Sequence, residues 1–321
     1  MGLGSSLMAL AGYGSVVFRP PKPTYRITEG PDGLAIAPTA NARGDRKYPG
    51  GVVVRLQTAR GGSIVAVLVE HQPAAAPVAG FGTAASAPFA VPRRPTILLS
   101  HGTAIDLGRV LLYYSEVAKD LRCNLCVYDY SGYGESRGSP SIPNTIADIN
   151  AVFTWLTQQR GIRVEDIVLY GQSLGSGPTV DLACRQKRVA GIVLNGAFAS
   201  GVRQLCPGIP RPAWFDIYPN SELPGVLCMR QLCPGMPWPA WLDIYPNSAL
   251  LPSVWAPVCV LHGTQDKTVG VEAGRLLHSL ARKPAAPYFP ACGHEDVELS
   301  VGFVPHLRRF LEGIFGSAYG K

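Results

Sequence analysis

Residues 167–177 read IVLYGQSLGSG, which sets Ser173 between Gly171 and Gly175, directly after an apolar run and ahead of a helix-like pattern. A serine in that setting is either a small polar residue in a tight turn or a nucleophile held on a sharp strand-to-helix bend. The G-x-S-x-G spacing favours the bend. A serine carried on a strained turn at a sheet edge needs neighbours without side chains, or its hydroxyl cannot stand clear of the backbone. The opening amides of the following helix lack intrahelical acceptors and sit at its positive end, so they suit a developing oxyanion. The chemistry implied is nucleophilic acyl substitution by a serine hydroxyl, which needs a base and an orienting acid.

Those partners should follow the serine in the order acid, then histidine, each beyond the end of a later strand. Asp266 fits the first place, in GTQDKTVG just after the apolar run PVCVLH. His294 fits the second, in CGHEDVEL after the short strand-like PAAPYFPA. The other histidines fit less well: His262 lies too near a strand end, His278 and His306 fall on helical patterns, and His71 precedes an Ala/Pro-rich stretch. Asp216 and Asp243 occupy equivalent places in a repeat. An oxyanion site needs a second donor, from the loop after the third core strand. There ILLSHGTAIDLG supplies the amide of Thr103 to pair with that of Leu174, or Ala104 if the turn is displaced by one residue. His101 is assigned a structural part in orienting that loop.

Positioning these groups requires a sheet. Strand-like runs occupy 51–57, 63–70, 96–100, 125–130, 166–170, 191–195 and 257–262, and helix-like patterns occupy 108–121, 145–159, 177–185, 270–281 and 299–315. Two opening strands followed by β–α alternation predict an α/β fold with a mostly parallel central sheet and helices on both faces. The organisation read from the sequence is a lead segment, 1–50, and one catalytic-sized domain, 51–316. Within that domain, 71–95 reads as an Ala/Pro/Gly-rich surface loop. A tandem duplication lies further on: RQLCPGIPRPAWFDIYPNSE at 203–222 returns as RQLCPGMPWPAWLDIYPNSA at 230–249. Two copies do not make a solenoid. The insert, 203–252, with Trp214, Trp238 and Trp241 inside it and Trp255 just after, is either a tandem insertion with one packed copy or an apolar cap over a lipid-like substrate.

Composition narrows the classes further. The 321 residues are 47% hydrophobic and 16% charged, as expected of a folded domain rather than a disordered chain. The formal charge of +7 comes from dispersed Lys and Arg without long basic runs or interleaved aromatics, so nucleic-acid binding is not expected, whereas attraction to an anionic membrane surface is compatible. Eight cysteines are spread along the chain. The C-x-x-C of Cys123 and Cys126 runs straight into a core strand and reads as structural, in a reducing compartment. Gly132, Gly134 and Gly138 are spaced one residue too far for a dinucleotide fingerprint, no phosphate-binding P-loop occurs, and no cluster has metal-ligand spacing. The reading therefore calls for no cofactor and no metal. No stretch is long enough for a membrane-spanning helix, and Met1-Gly2 with Ser6 matches the N-myristoylation pattern, making Gly2 the lipidation candidate.

Five segments together, LLSHGTAIDLG, VYDYSGYGESRGSPS, ADINAVFTWLTQQRGIRVEDIVLYGQSLGSGPTVDLA, HGTQDKTV and GHEDVEL, give the chain a family likeness over about residues 96–315. It resembles the α/β-hydrolase superfamily and, within it, the α/β-hydrolase domain-containing 17 group of protein depalmitoylases. The resemblance implies an α/β-hydrolase fold with Ser173 as nucleophile, Asp266 as acid and His294 as base. It also implies thioester cleavage of palmitoyl-cysteine in S-acylated membrane proteins, by an enzyme peripheral on the cytosolic face of membranes. Two other functions stay open: a carboxylesterase or lipid esterase with the same three residues, and a non-catalytic binding protein on the same fold. The chain departs from the group in several places, with the Ala/Pro loop and the second copy of the repeat as additions to the group's pattern. The group usually carries Asn where Thr103 stands. Its animal members have an N-terminal cysteine cluster, whereas the first cysteine here is Cys123 and the start MGLGSS with RPPKPTY looks more like the plant-type members.

Overall fold

The computed structural model describes residues 17–31, 33–42, 47–71, 94–200, 245–316 and Tyr319. Gly2, nearly all of the 71–95 loop and all but the end of the duplicated insert lie outside the described residues. So do Trp214, Trp238, Trp241, Asp216 and Asp243.

The described chain begins with a two-stranded antiparallel hairpin, β1 (Tyr25–Gly30) and β2 (Gly33–Pro38). A seven-stranded sheet follows, built from β3 (Val52–Gln57), β4 (Ser63–Val69), β5 (Thr96–Ser100), β6 (Asn124–Tyr128), β7 (Ile167–Gln172), β8 (Gly191–Asn195) and β9 (Val258–Leu261). Its order is β3-β4-β6-β5-β7-β8-β9. β4 runs antiparallel to both β3 and β6, and the other neighbours are parallel. The α/β-hydrolase fold class expected from the sequence is the one observed.

Among the described residues six helices connect or flank these strands: α1 (Leu107–Asp120), α2 (Ile142–Thr154), α3 (Ser176–Arg185), the single turn α4 (Asn247–Leu250), α5 (Val271–Leu280) and α6 (Phe303–Phe315). α2 continues into a π-helical turn over Trp155–Gln159. The strands are apolar on both faces because each face has its own core. Ile64, Ala66, Leu68, Leu98, Leu169 and Leu194 join the core that holds Val152 of α2, Val180 of α3 and Leu277 of α5. Their alternates Val65, Val67, Leu99, Val168 and Val193 join the core that holds Leu111 of α1 and Leu307 of α6. The period-2 geometry of a strand produces this split, and a one-residue slip would exchange the two sets.

Chain order along the sheet reverses between β5 and β7. From β5 the chain crosses to β6 on one side, then returns to β7 on the other. The carboxyl ends of strands flanking such a reversal open into a crevice, the usual ligand site of an open α/β sheet. Gly175 lies there: a Cβ on it would stand 2.0 Å from Ser100 O at the end of β5. Among the described residues no helix is long and apolar enough to cross a membrane.

Candidate active site

β7 ends at Gln172, and the chain turns through Ser173–Gly175 into α3. Ser173 itself has φ +49, a left-handed conformation that is uncommon and strained for a residue with a side chain. The glycines on either side make the turn possible. A Cβ at 171 would meet Gly175 O and Ser176 Cα at 2.7 Å, and one at 175 would collide with β5. The Ser176 hydroxyl donates to Ser173 O at 2.7 Å and itself accepts from Asn247 Nδ2 at 3.0 Å. The bend is therefore fixed by sterics on one side and hydrogen bonds on the other.

Asp266 and His294, distant in sequence, meet this serine. His294 Nε2 lies 3.0 Å from Ser173 Oγ, and its Nδ1 lies 2.5 Å from Asp266 Oδ2. An ionised carboxylate only accepts, so Nδ1 carries the proton toward Asp266 and Nε2 is left to accept from the serine hydroxyl. The other Asp266 oxygen, Oδ1, accepts from the amides of Thr268 and Val269, each at 2.8 Å. Burial alone would raise the Asp266 pKa, but hydrogen bonds from His262, His294 and the Val269 amide outweigh it and hold the carboxyl well below the usual carboxylate range. Asp266 therefore stays charged beside the imidazole.

His262, passed over in the sequence as too near the strand end, lies against Asp266. It is fully buried, with Nε2 3.2 Å from Asp266 Oδ2 and 2.8 Å from Val269 O. Its signal in the sequence is the four-residue step in HGTQD, which follows the end of β9. Gly196, also missed, leaves space for the His294 ring. It has φ +57 just after β8, and a Cβ there would stand 2.9 Å from His294 Cε1.

The loop after β5 reaches the same rim. A Cβ on Gly102 would come within 3.8 Å of Ser173 Cβ, so Thr103 sits one residue beyond a close approach to the bend. The Thr103 hydroxyl donates to Val17 O and accepts from the Arg19 amide, and Tyr133 OH donates to Thr103 O at 2.9 Å. Leu174, the other predicted donor, opens the turn into α3. His101 is buried beneath this loop, with Nδ1 2.8 Å from Gly102 O and Nε2 3.1 Å from Asp129 Oδ1, the latter outside good hydrogen-bond alignment. Asp129 also accepts from Tyr25 OH at 2.6 Å and from the Leu107 amide at 2.8 Å, which links the N-terminal hairpin to the start of α1.

Among the described residues no group of three or more His, Cys, Asp or Glu side chains is arranged to hold a metal ion. Cys123 and Cys126 are buried in or beside β6, where burial raises both thiols, Cys123 to about 12. Neither thiol is reactive in that state.

A mostly parallel sheet flanked on both faces, a serine on a glycine-lined bend and an Asp and a His from loops beyond later strands define an α/β hydrolase. A sequence profile described as the alpha/beta hydrolase fold matches residues 95–238. Alpha/beta hydrolase domain-containing protein 17B of Xenopus laevis is 30% identical over 302 residues, covering 92% of this chain and 89% of its own. The Homo sapiens protein of the same name is 29% identical with the same coverage. An esterase of Pyrococcus furiosus shares the fold, with a TM-score of 0.59 at 14% identity, over 83% of this chain and 93% of its own. The chain belongs to the α/β-hydrolase domain-containing protein 17 family.

Proposed function

We propose that this protein is a serine hydrolase of acyl thioesters, with palmitoyl-cysteine in S-acylated membrane proteins as its substrate class. The observation that carries the reading is the continuous hydrogen-bonded line from Ser173 Oγ through His294 to Asp266. In the proposed reaction Ser173 Oγ attacks the acyl carbonyl while His294 Nε2 takes its proton. Asp266 holds the imidazole tautomer and stabilises its cation. The amides of Leu174 and Thr103 receive the oxyanion.

A cysteine thiolate leaves readily because its conjugate acid has a pKa of about 8.5. Thioester cleavage therefore leans on alignment and oxyanion stabilisation more than on acid assistance. Water activated by His294 then hydrolyses the acyl-enzyme. The choice of thioester over ester is supported by the likeness to the depalmitoylase group. A peripheral position on the cytosolic face of membranes, with lipid at Gly2 and the chain's +7 charge as a second attraction, is part of the same proposal.

The test compares turnover of a palmitoyl-cysteine peptide with that of a short-chain ester by the purified protein. Cleavage of the ester alone would replace the thioesterase reading with a carboxylesterase. Ser173→Ala should abolish labelling by a fluorophosphonate, and labelling that persisted would move the nucleophile elsewhere.

A further inference from the structure

Four residues after His294 lies a carboxylate that the proposed reaction does not use. Glu298 is only 7% exposed, and a single oxygen, Oε1, collects three donors. Gln172 Nε2 lies at 2.7 Å, Asn195 Nδ2 at 2.8 Å and Tyr114 OH at 2.8 Å. Each donor comes from a different part of the site. Gln172 is the residue before Ser173, Asn195 ends β8 just ahead of the glycine that makes room for His294, and Tyr114 stands on α1. The Glu298 carbonyl is held as well, accepting from Tyr113 OH at 2.6 Å.

We propose that Glu298 is a positioning residue that clamps the loop bearing His294 to the bend bearing Ser173. The proposal rests on the triad reading above. Three donors on one oxygen suit an ionised carboxylate better than a neutral acid, whose carbonyl would be a weaker acceptor. Burial raises the Glu298 pKa, and the hydrogen bonds from Tyr114 and Asn195, with His294 nearby, act in the opposite sense.

The arrangement is costly in a way that stability alone does not explain. The two amides turn their nitrogens to Glu298, and their carbonyl oxygens, Gln172 Oε1 and Asn195 Oδ1, are buried without a hydrogen-bond partner among the described residues. Well-packed apolar side chains usually fill such a site at least as stably as a buried charge does. What the charge adds is a fixed distance between two loops that share no backbone pairing.

Glu298 also bears on the base electrostatically. The titratable groups facing it are Tyr113 and Tyr114 from α1, Tyr170 from β7 and His294 from its own loop. Those acting on His294 are Asp266, which bonds its Nδ1, and Glu298, while Asp296 and Cys292 belong to the same loop and act on each other. A negative charge at 298 favours the imidazolium, so removing it should lower the pH at which the base becomes active.

The experiment is steady-state ester turnover as a function of pH, with thermal melts, for the full-length wild type, Glu298→Gln, Glu298→Asp, Gln172→Met and Tyr114→Phe. Glu298→Gln should lower kcat by about 10- to 100-fold at little changed KM, and the acid limb of kcat/KM should move to lower pH. Glu298→Asp restores the charge and should return the acid limb toward the wild-type position. Gln172→Met keeps the charge and loses one tether, so kcat should fall with the acid limb in place.

A Glu298→Gln protein with wild-type kcat overturns the proposal. So does one whose kcat falls only in step with its melting temperature while the acid limb stays put. If Glu298→Gln does not fold, Gln172→Met and Tyr114→Phe decide, and wild-type kcat in both overturns it. Failure of the triad reading shows separately, as fluorophosphonate labelling of Ser173→Ala.

Discussion

Replacing Gly196 by alanine separates the placement of the histidine from the stability of the fold. The residue sits at φ +57, and a side chain in the left-handed region costs about 1–2 kcal/mol. Its new Cβ would stand 2.9 Å from His294 Cε1 and 3.1 Å from Nδ1, against a comfortable carbon–carbon separation of about 3.5–4.0 Å. The ring must therefore retreat by roughly 0.5–1 Å. It is held at 2.5 Å by Asp266 and 3.0 Å by Ser173, so at least one of those bonds stretches toward the limit of hydrogen bonding.

A displacement of that size costs about 100-fold in rate, or roughly 2.7 kcal/mol of barrier. The fold loses less, and its melting temperature should fall by only a few degrees. The assay is the second-order rate constant for fluorophosphonate labelling of Ser173, measured beside a thermal melt. A variant that melts earlier yet labels at the wild-type rate would show that the glycine serves the backbone alone and that the ring is not confined as described.

Asp266→Asn should lower turnover by about 10⁴-fold, because the amide no longer selects the tautomer that Nε2 needs, and turnover within tenfold of wild type would refute the role. The stabilisation that Asp266 gains from its depressed pKa is complete above its unfolded value of about 3.9 and is lost as pH falls through the folded value. The stability gap between wild type and this variant should therefore be flat from neutrality down to about pH 4 and close below it, as read by chemical denaturation. Thr103→Val removes the hydroxyl that bonds Val17 O and the Arg19 amide. It should cost about 1–2 kcal/mol and slow labelling severalfold; an unchanged labelling rate would detach the lead segment from the proposed oxyanion loop. Deleting residues 218–244 removes one repeat and joins the first copy directly to Tyr245, whose ring packs on Gly177, and to Asn247, which bonds Ser176 and Phe198. Labelling of Ser173 should survive this deletion, and its loss would mean both copies are needed.

The parallel strands were legible because burial on both faces leaves a short unbroken apolar run, and each such run begins and ends within about two residues of its reading. That Ser173, Asp266 and His294 would meet was legible because strand ends are marked locally, by Gly171 and Gly175 around the first and by polar turns before the others. The hairpin of β1 and β2 was not read, since YRITEG and GLAIAP are short and half exposed. The reading of a strand over PAAPYFPA is met by bonds from the Ala285 and Tyr288 amides to β9, while Pro284, Pro287 and Pro290 keep it from forming a continuous ladder. The helix expected from 299 starts at Phe303, and the apolar residues that suggested the earlier start, Leu299 and Val301, lie exposed in a turn. His262 left only the faint signal of its four-residue step to Asp266, and Gly196 and Glu298 left none in local pattern. Their parts depend on partners brought together across the sheet, which a periodicity in one segment does not encode.

The bonds from Val17 and Arg19 to Thr103 set a limit on reach. Fully extended, the fifteen residue steps from Gly2 to Val17 span at most about 50 Å. Val17 is itself held at the rim of the crevice, so the chain ahead of it sets out from that rim rather than from the far side of the molecule. With lipid at Gly2 as proposed, a bilayer holding that end would keep the serine within that reach of its surface, and acyl chains rooted in the same leaflet would fall inside the arc the molecule can sweep.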